Sequence, residues 1–258
     1  MQEKGGADMN LLREKINAEG MLRGTLVSLS DPCLCEIMGN VGFECVWIDH
    51  EHSYFSFKEL LAHLNACRAA GVASLVRVPQ NDLTATKKIL EMGPDGIIFP
   101  MVRSLREAEE LIEMTLYPPR GTRGFGPMRA IGYDPSRSRD YVERESLSLC
   151  RFMQIESASM IDELERIAAN PYIDGFVFGP NDLSGSLGEM LNVFGDKTIF
   201  EICRAIEIVK RHGKKIGLAG GCGVKTIEYW KSFGLDMLFV GGDWVFLFEK
   251  ASEVFKLL

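Results

Sequence analysis

Two acidic residues carry the first chemical hint. Glu156, in QIES, ends the apolar run Leu149–Glu156, and Asp182, in GPNDLS, follows the next such run, Asp174–Phe178. If those runs are neighbouring strands, the two carboxylates project side by side, and two like charges at close range resist joint ionisation without a cation. Oxygen ligands alone, with space for water, suit Mg²⁺ or Mn²⁺, and a substrate oxygen can complete the octahedron. The plainer alternative is that each carboxylate caps the helix that follows it, Asp182 before LSGSLG in particular.

Other polar residues fall at equivalent places. Arg77 interrupts the apolar LVRVP, where a guanidinium is costly to bury without an anion; its fork suits a carboxylate or an enolate, and a structural ion pair is the bland alternative. The run Phe43–Asp49 leads into Asp49-His50-Glu51-His52. There a carboxylate three residues before an imidazole can orient a general base, or form a pair that is merely structural. No lysine closes any apolar run, and Lys214 and Lys215 stand at the entrance of one. Schiff-base chemistry needs a lysine inside the site, so carbonyl chemistry here requires a metal as electron sink. The stretches GLAGGCG and VGGD close the last two runs, and glycines there are where barrels commonly hold phosphate, so a phosphosugar enzyme stands as a rival.

These residues need a scaffold that gathers strand ends. Eight short apolar runs alternate with segments of helical period: Leu22–Ser28, Phe43–Asp49, Ala73–Val78, Gly96–Met101, Leu149–Glu156, Asp174–Phe178, Lys215–Ala219 and Asp236–Val240. LREAEELIEM has clear helical spacing, and IFEICRAIEIVKRHG stops on Gly213. Eight βα units in 258 residues predict one α/β domain, 1–258, with the (β/α)8 TIM barrel architecture; a doubly wound open sheet is the alternative. In such a barrel the chemistry sits at the carboxyl ends of the strands.

Two segments stand apart from this rhythm. Tyr117–Glu145, beginning YPPRGTRGFGP, is too long for a plain connection. Its glycines between Gly121 and Gly126 permit close backbone approach to a ligand, unless the segment is a turn followed by a surface helix. The last segment, Asp243–Leu258, contains Trp244-Val245-Phe246-Leu247-Phe248, apolar around the whole helix. Either a partner subunit covers it, giving a homo-oligomer, or it caps the barrel floor.

Composition narrows the partners to a small molecule. A net charge of -7 with scattered lysines and arginines leaves no footprint for nucleic acid. No apolar run approaches the ~20 residues of a membrane span, and MQEKGGADMN lacks the apolar core of a signal peptide, which predicts a cytoplasmic protein. The seven cysteines (33, 35, 45, 67, 150, 203, 222) form no CxxC pair and read as reduced core thiols.

As an ordered set, GFECVWIDHEH, LVRVP with Asn81 and Asp82 behind it, FPMV, YPPRGTRGFGP, QIES and GFVFGPNDLSGSLG resemble the HpcH/HpaI aldolase family. These are metal-dependent aldolases of 2-keto-3-deoxy and 4-hydroxy-2-oxo acids. The resemblance spans almost the whole chain and implies a pyruvate-type barrel, with exchanged carboxyl-terminal helices building a hexamer, or trimer of dimers. It implies Glu156 and Asp182 as ligands of Mg²⁺ or Mn²⁺, with Co²⁺ admissible. Arg77 matches the arginine on the pyruvate portion, Asp49 and His52 the family's dyad, Gln154 a position facing the keto acid, and the backbone at Asn181 the carboxylate site. The implied reaction has His52 take the C4 hydroxyl proton as the C3–C4 bond breaks and Arg77 steady the enolate, giving pyruvate and an aldehyde. A lyase of the citrate lyase or malyl-CoA type would use the same groups but needs a nucleotide groove, for which the acidic chain offers no basic lining. His50 stands where glycine is common and Glu91 where aspartate is, and GLAGGCG is unusually rich in glycine. A second imidazole at His50 is a rival base or metal ligand.

Overall fold

The computed structural model describes residues 10–258; the leaderless reading of the amino terminus falls largely on residues 1–9, outside the described residues. Eight parallel strands form a closed barrel in chain order: β1 (Leu22–Val27), β2 (Cys45–Asp49), β3 (Ala73–Arg77), β4 (Gly96–Phe99), β5 (Cys150–Ile155), β6 (Gly175–Phe178), β7 (Lys215–Gly220) and β8 (Met237–Gly242). Closure comes from β8 pairing with β1, Met237 opposite Leu22. The open-sheet alternative is thereby excluded. The helices are α1 (Leu11–Asn17), α2 (Cys33–Val41), α3 (Phe57–Ala70), α4 (Leu83–Met92), α5 (Leu105–Thr115), α6 (Ser138–Glu143), α7 (Ala158–Ala168), α8 (Pro180–Ser186), α9 (Asp196–Arg211), α10 (Val224–Lys231) and α11 (Asp243–Phe255).

The period of two along each strand sorts side chains between two cores. Cys45 and Trp47 of β2, Leu75 of β3, Phe152 of β5, Val177 of β6 and Phe239 of β8 meet inside the barrel. Val46, Ile48, Val76, Met153, Ile155, Phe176 and Phe178 face outward under the helices. Parity therefore decides what reaches the mouth: continuing the inward rows gives Asp49 after Trp47, Arg77 after Leu75, Gln154 and Glu156 after Phe152, and Gly179 after Val177.

Helix starts are set locally. Ser56 and Glu59 form a reciprocal capping box at α3. Asp82 caps α4 through Thr84 and Ala85, and Asn81 donates to the Pro100 carbonyl at 2.6 Å, so this pair of the matched motif is structural.

The barrel floor is closed by α1, whose Leu12 and Ile16 join the inner core. It is not closed by the carboxyl-terminal helix, as one sequence alternative had it. That helix, α11, packs beside β1 and β8. Phe246 stacks on Phe43 at 6.4 Å, whereas Trp244, Leu247, Phe248 and Phe255 are exposed.

The long segment after α5 belongs to the floor as well, because α5 returns the chain to the end where strands begin. It holds three short 3-10 turns and α6 around a small core of Tyr117, Ile131 and Tyr141. Its glycines consequently lie away from the mouth of their own barrel. Four cysteines, 35, 45, 67 and 150, are buried thiols as expected; Cys33 and Cys203 are exposed on α2 and α9, Cys222 is half-buried in the loop after β7, and all seven are free. No helix among the described residues is long and apolar enough to cross a membrane.

Candidate active site

β2 and β3 run in register with Asp49 opposite Arg77. The consequence is a bidentate pair: Arg77 Nε donates to Asp49 Oδ1 at 3.0 Å and Nη2 donates to Oδ2 at 2.6 Å. Nη1 donates to Gln154 Oε1 at 3.3 Å and lies 3.2 Å from Glu51 Oε2. The guanidinium sits over Trp47, 5.3 Å from the ring. Burial pushes the Asp49 carboxyl upward, but the bonds and charge of Arg77 and the His52 backbone N–H outweigh it and hold the group below its ordinary value. Burial acts against the Arg77 charge, and Asp49, Glu51 and Glu156 reverse that, leaving its pKa raised.

The expected Asp49–His52 dyad is not formed through the imidazole. Both Asp49 oxygens are taken by Arg77, and Asp49 Oδ1 also accepts the backbone N–H groups of Glu51 and His52. The parity of β2 aims Asp49 into the barrel, whereas His52 follows the turn and stays exposed. Its ring lies near Glu51 instead, Nε2 to Oε2 at 3.6 Å. Sequence reasoning passed over Glu51; the available signal was its position two residues beyond Asp49, on the same inward row. Burial, ahead of the opposing charges of Arg77 and His52, raises its pKa.

His50 does not compete as base or ligand, because parity sends it outward. Its ring packs between Phe55 and Phe57, with centroids 5.1 and 4.9 Å away, and Nε2 meets the Phe55 carbonyl at 3.1 Å. Burial lowers its pKa.

Across the mouth, β5 delivers Gln154 and Glu156. Glu156 does not cap α7, since Ser157 does. Its Oε2 instead accepts the Met101 N–H at 2.6 Å, and Met101 adopts a left-handed φ of 54° to present that donor. Burial first, then the charges of Glu51 and Asp182, against that N–H and Arg77, push the Glu156 carboxyl up to about 7.

Asp182 stands exposed in the first turn of α8, whose N-cap is Gly179, so it is not the cap residue either. Asn181 precedes it, also exposed. Gly179 makes room for the whole arrangement: a Cβ there would lie 2.7 Å from Gln154 Nε2 and 2.8 Å from Glu156 Cγ and Oε1. Two of the glycines that close β7 and β8 serve packing. Gly241, at φ 60°, lies against the Phe246 ring and Cys222, and Gly220 against Trp230.

The Arg77 guanidinium, paired with Asp49, thus also feels Glu51 and Glu156, and the charge of Asp182 acts on both of those carboxylates. Among the described residues no group of three or more His, Cys, Asp or Glu side chains converges as a complete metal cage. Two carboxylates in an open mouth, with the remaining positions left to water and substrate oxygens, are oxygen donors of the kind a hard divalent cation accepts.

The family description HpcH/HpaI aldolase/citrate lyase matches residues 23–220. The hydroxypyruvate/pyruvate aldolase of Deinococcus radiodurans is 32% identical over 231 residues, covering 90% of this chain and 83% of that protein. The 2-dehydro-3,6-dideoxy-6-sulfogluconate aldolase of Pseudomonas putida is 31% identical, covering 91% of each chain. The crystal structure of an HpcH/HpaI aldolase from Desulfitobacterium hafniense superposes with a TM-score of 0.88 at 26% identity, over 96% of both chains. With the family description covering residues 23–220 and relatives above 30% identity matching 90% and 91% of the chain, the chain belongs to the HpcH/HpaI aldolase/citrate lyase family.

Proposed function

We propose that this protein, as a single barrel domain over residues 1–258, is a divalent-metal-dependent pyruvate aldolase cleaving a 4-hydroxy-2-oxo acid or 2-keto-3-deoxy sugar acid to pyruvate and an aldehyde. The observation that carries the reading is the Glu156 carboxyl, buried beside Asp182 and Glu51 and opposite Arg77, at the end of the barrel where chemistry is done.

Glu156 and Asp182 would hold the metal, Mg²⁺ or Mn²⁺ by their oxygen donors, and the ion would supply Lewis-acid polarisation of the 2-oxo acid. Arg77 would place its charge at the keto oxygen, where negative charge develops as the C3–C4 bond breaks. Its pairing with Asp49 fixes the fork in advance, so little reorganisation is needed. Gln154, held by Arg77 Nη1, would face the keto acid, and the backbone at Asn181 would take its carboxylate. His52 would accept the C4 hydroxyl proton at a ring nitrogen, with Glu51 in the orienting role expected of Asp49.

The two named relatives act, by their names, on hydroxypyruvate or pyruvate and on a sulfonated deoxy sugar acid. Both names fit chemistry at a 2-oxo acid. Gly220 and Gly241 pack against Trp230, Phe246 and Cys222, which takes two of the strand-end glycines away from the phosphosugar reading.

The exposed Trp244, Leu247, Phe248 and Phe255 face of α11 supports a homo-oligomer, with a second copy covering it. The test of the function is pyruvate release from a panel of 4-hydroxy-2-oxo acids by chelated enzyme, with and without Mg²⁺, Mn²⁺ or Co²⁺. Metal-dependent release is expected; no pyruvate with any metal would overturn the reading.

A further inference from the structure

At the floor, opposite the metal-type carboxylates, a cavity of about 360 Å³ opens between α3, the end of α4 and the segment that follows α5. Small-molecule sites commonly run from ~300 to ~1,000 Å³, so the space is of ligand size. Its wall carries Arg68, Arg123, Arg129 and Arg137 against only two acids, Asp95 and Glu145. With Glu91 counted as the partner of Arg123, four positive charges face three negative and leave one in excess, on the wall of a chain whose net charge is -7.

Both acids of the wall are already engaged. Asp95 Oδ2 accepts the Ser74 backbone N–H at 2.9 Å and its hydroxyl at 2.7 Å. Glu145 holds Arg137 at 2.8 Å. Arg129 meets only neutral oxygens, those of Asn65, Leu64, Met92 and Gly93. Arg68 is exposed and forms no ion pair among the described residues. Arg123 is 2% exposed and clamped 4.5 and 5.5 Å from the rings of Tyr117 and Tyr141. It donates through Nη2 to the Tyr141 hydroxyl at 3.1 Å, lies 3.5 Å from Glu91, and has no partner for Nε.

A buried guanidinium is costly unless paired, and planar forks preorganised by aromatic faces and backbone carbonyls suit phosphate oxygens. We infer that the floor cavity is a binding site for a small phosphorylated metabolite or free phosphate, held by the charges of Arg68 and Arg129 with Arg123 at the back wall. This site is independent of the aldolase reading. Three of its arginines lie on the segment between α5 and β5, so an occupant fastens that segment to α3 and α4.

The test is thermal unfolding and calorimetric titration of the metal-chelated protein with inorganic phosphate and with glucose 6-phosphate, each against chloride at matched ionic strength. Saturable stabilisation by either probe is expected, and the tighter of the two names the source of the phosphoryl group. Arg68→Ala, at an exposed position that leaves the fold intact, is expected to weaken binding about tenfold. Arg77→Ala, titrated calorimetrically at a temperature where it remains folded, is expected to leave the affinity unchanged, and hydrogen exchange over residues 117–149 is expected to slow on saturation. No saturable effect of either probe, or binding lost in folded Arg77→Ala but unaltered in Arg68→Ala, overturns the proposal.

Discussion

Replacing Gly179 by alanine adds one methyl group and removes no functional atom. The added Cβ would sit 2.8 Å from Glu156 Oε1 and Cγ and 2.7 Å from Gln154 Nε2, where ordinary contact begins near 3.4 Å. The backbone at Gly179 has φ -101°, outside the left-handed region, so the contact alone carries the effect. Relief requires the carboxylate to move by about 0.6 Å, the difference between 3.4 and 2.8 Å. Metal–ligand distances tolerate roughly 0.2 Å. A shift of that size without loss of the ligand resembles removal of a supporting contact, which typically costs ~10–100-fold in metal affinity. Overpacking should also cost about 1–3 kcal/mol of stability. The assay is calorimetric titration of chelated protein with Mn²⁺, alongside pyruvate release at rising metal concentration. Weaker binding with turnover partly restored at high metal is expected. A folded Gly179→Ala protein that binds Mn²⁺ as tightly as wild type would refute the placement of Glu156 as a ligand.

Three further outcomes follow from the same geometry. Arg77→Ala leaves Asp49 buried without its counter-ion, which should cost ~3–5 kcal/mol of stability, and it should depress kcat severely; unchanged turnover with only a raised KM would contradict the enolate role. Burial holds Glu156 at about 7 in the folded chain, against ~4.3 unfolded, so its protonated form stabilises the fold below the unfolded value and that contribution is lost as pH rises through 7. The melting temperature of chelated wild type minus that of Glu156→Gln should therefore fall between pH 5 and pH 8; parallel curves would count against the raised pKa. Glu51→Gln should lower kcat by about tenfold, a fraction of what a positioned base supplies, and alter the acidic limb of the pH–rate profile while KM changes little. An unaltered profile would return His52 to another partner.

Much of the barrel was legible because a buried parallel strand leaves an unbroken apolar run, and all eight runs are strands within two residues of the expected ends. The polar residues closing those runs were legible for the same reason: Arg77, Gln154 and Glu156 interrupt or end otherwise apolar sequence. The family resemblance rested on these interruptions and holds.

Which of them touch was a matter of three dimensions. Strand parity and the β2–β3 register gave the Asp49 carboxylate to Arg77 and left the His52 imidazole to Glu51, a choice that spacing along the chain cannot express. The same parity turned His50 into an aromatic pocket. Closure of the floor by α1, and the gathering of Arg68, Arg123, Arg129 and Arg137 around one cavity, depend on where α3, α4 and α5 return the chain. Sequence alone determined the barrel and the types of group at its mouth, because burial and periodicity are local properties. Only the tertiary structure decided their partners, because pairing across strands depends on register, parity and the path of the return helices.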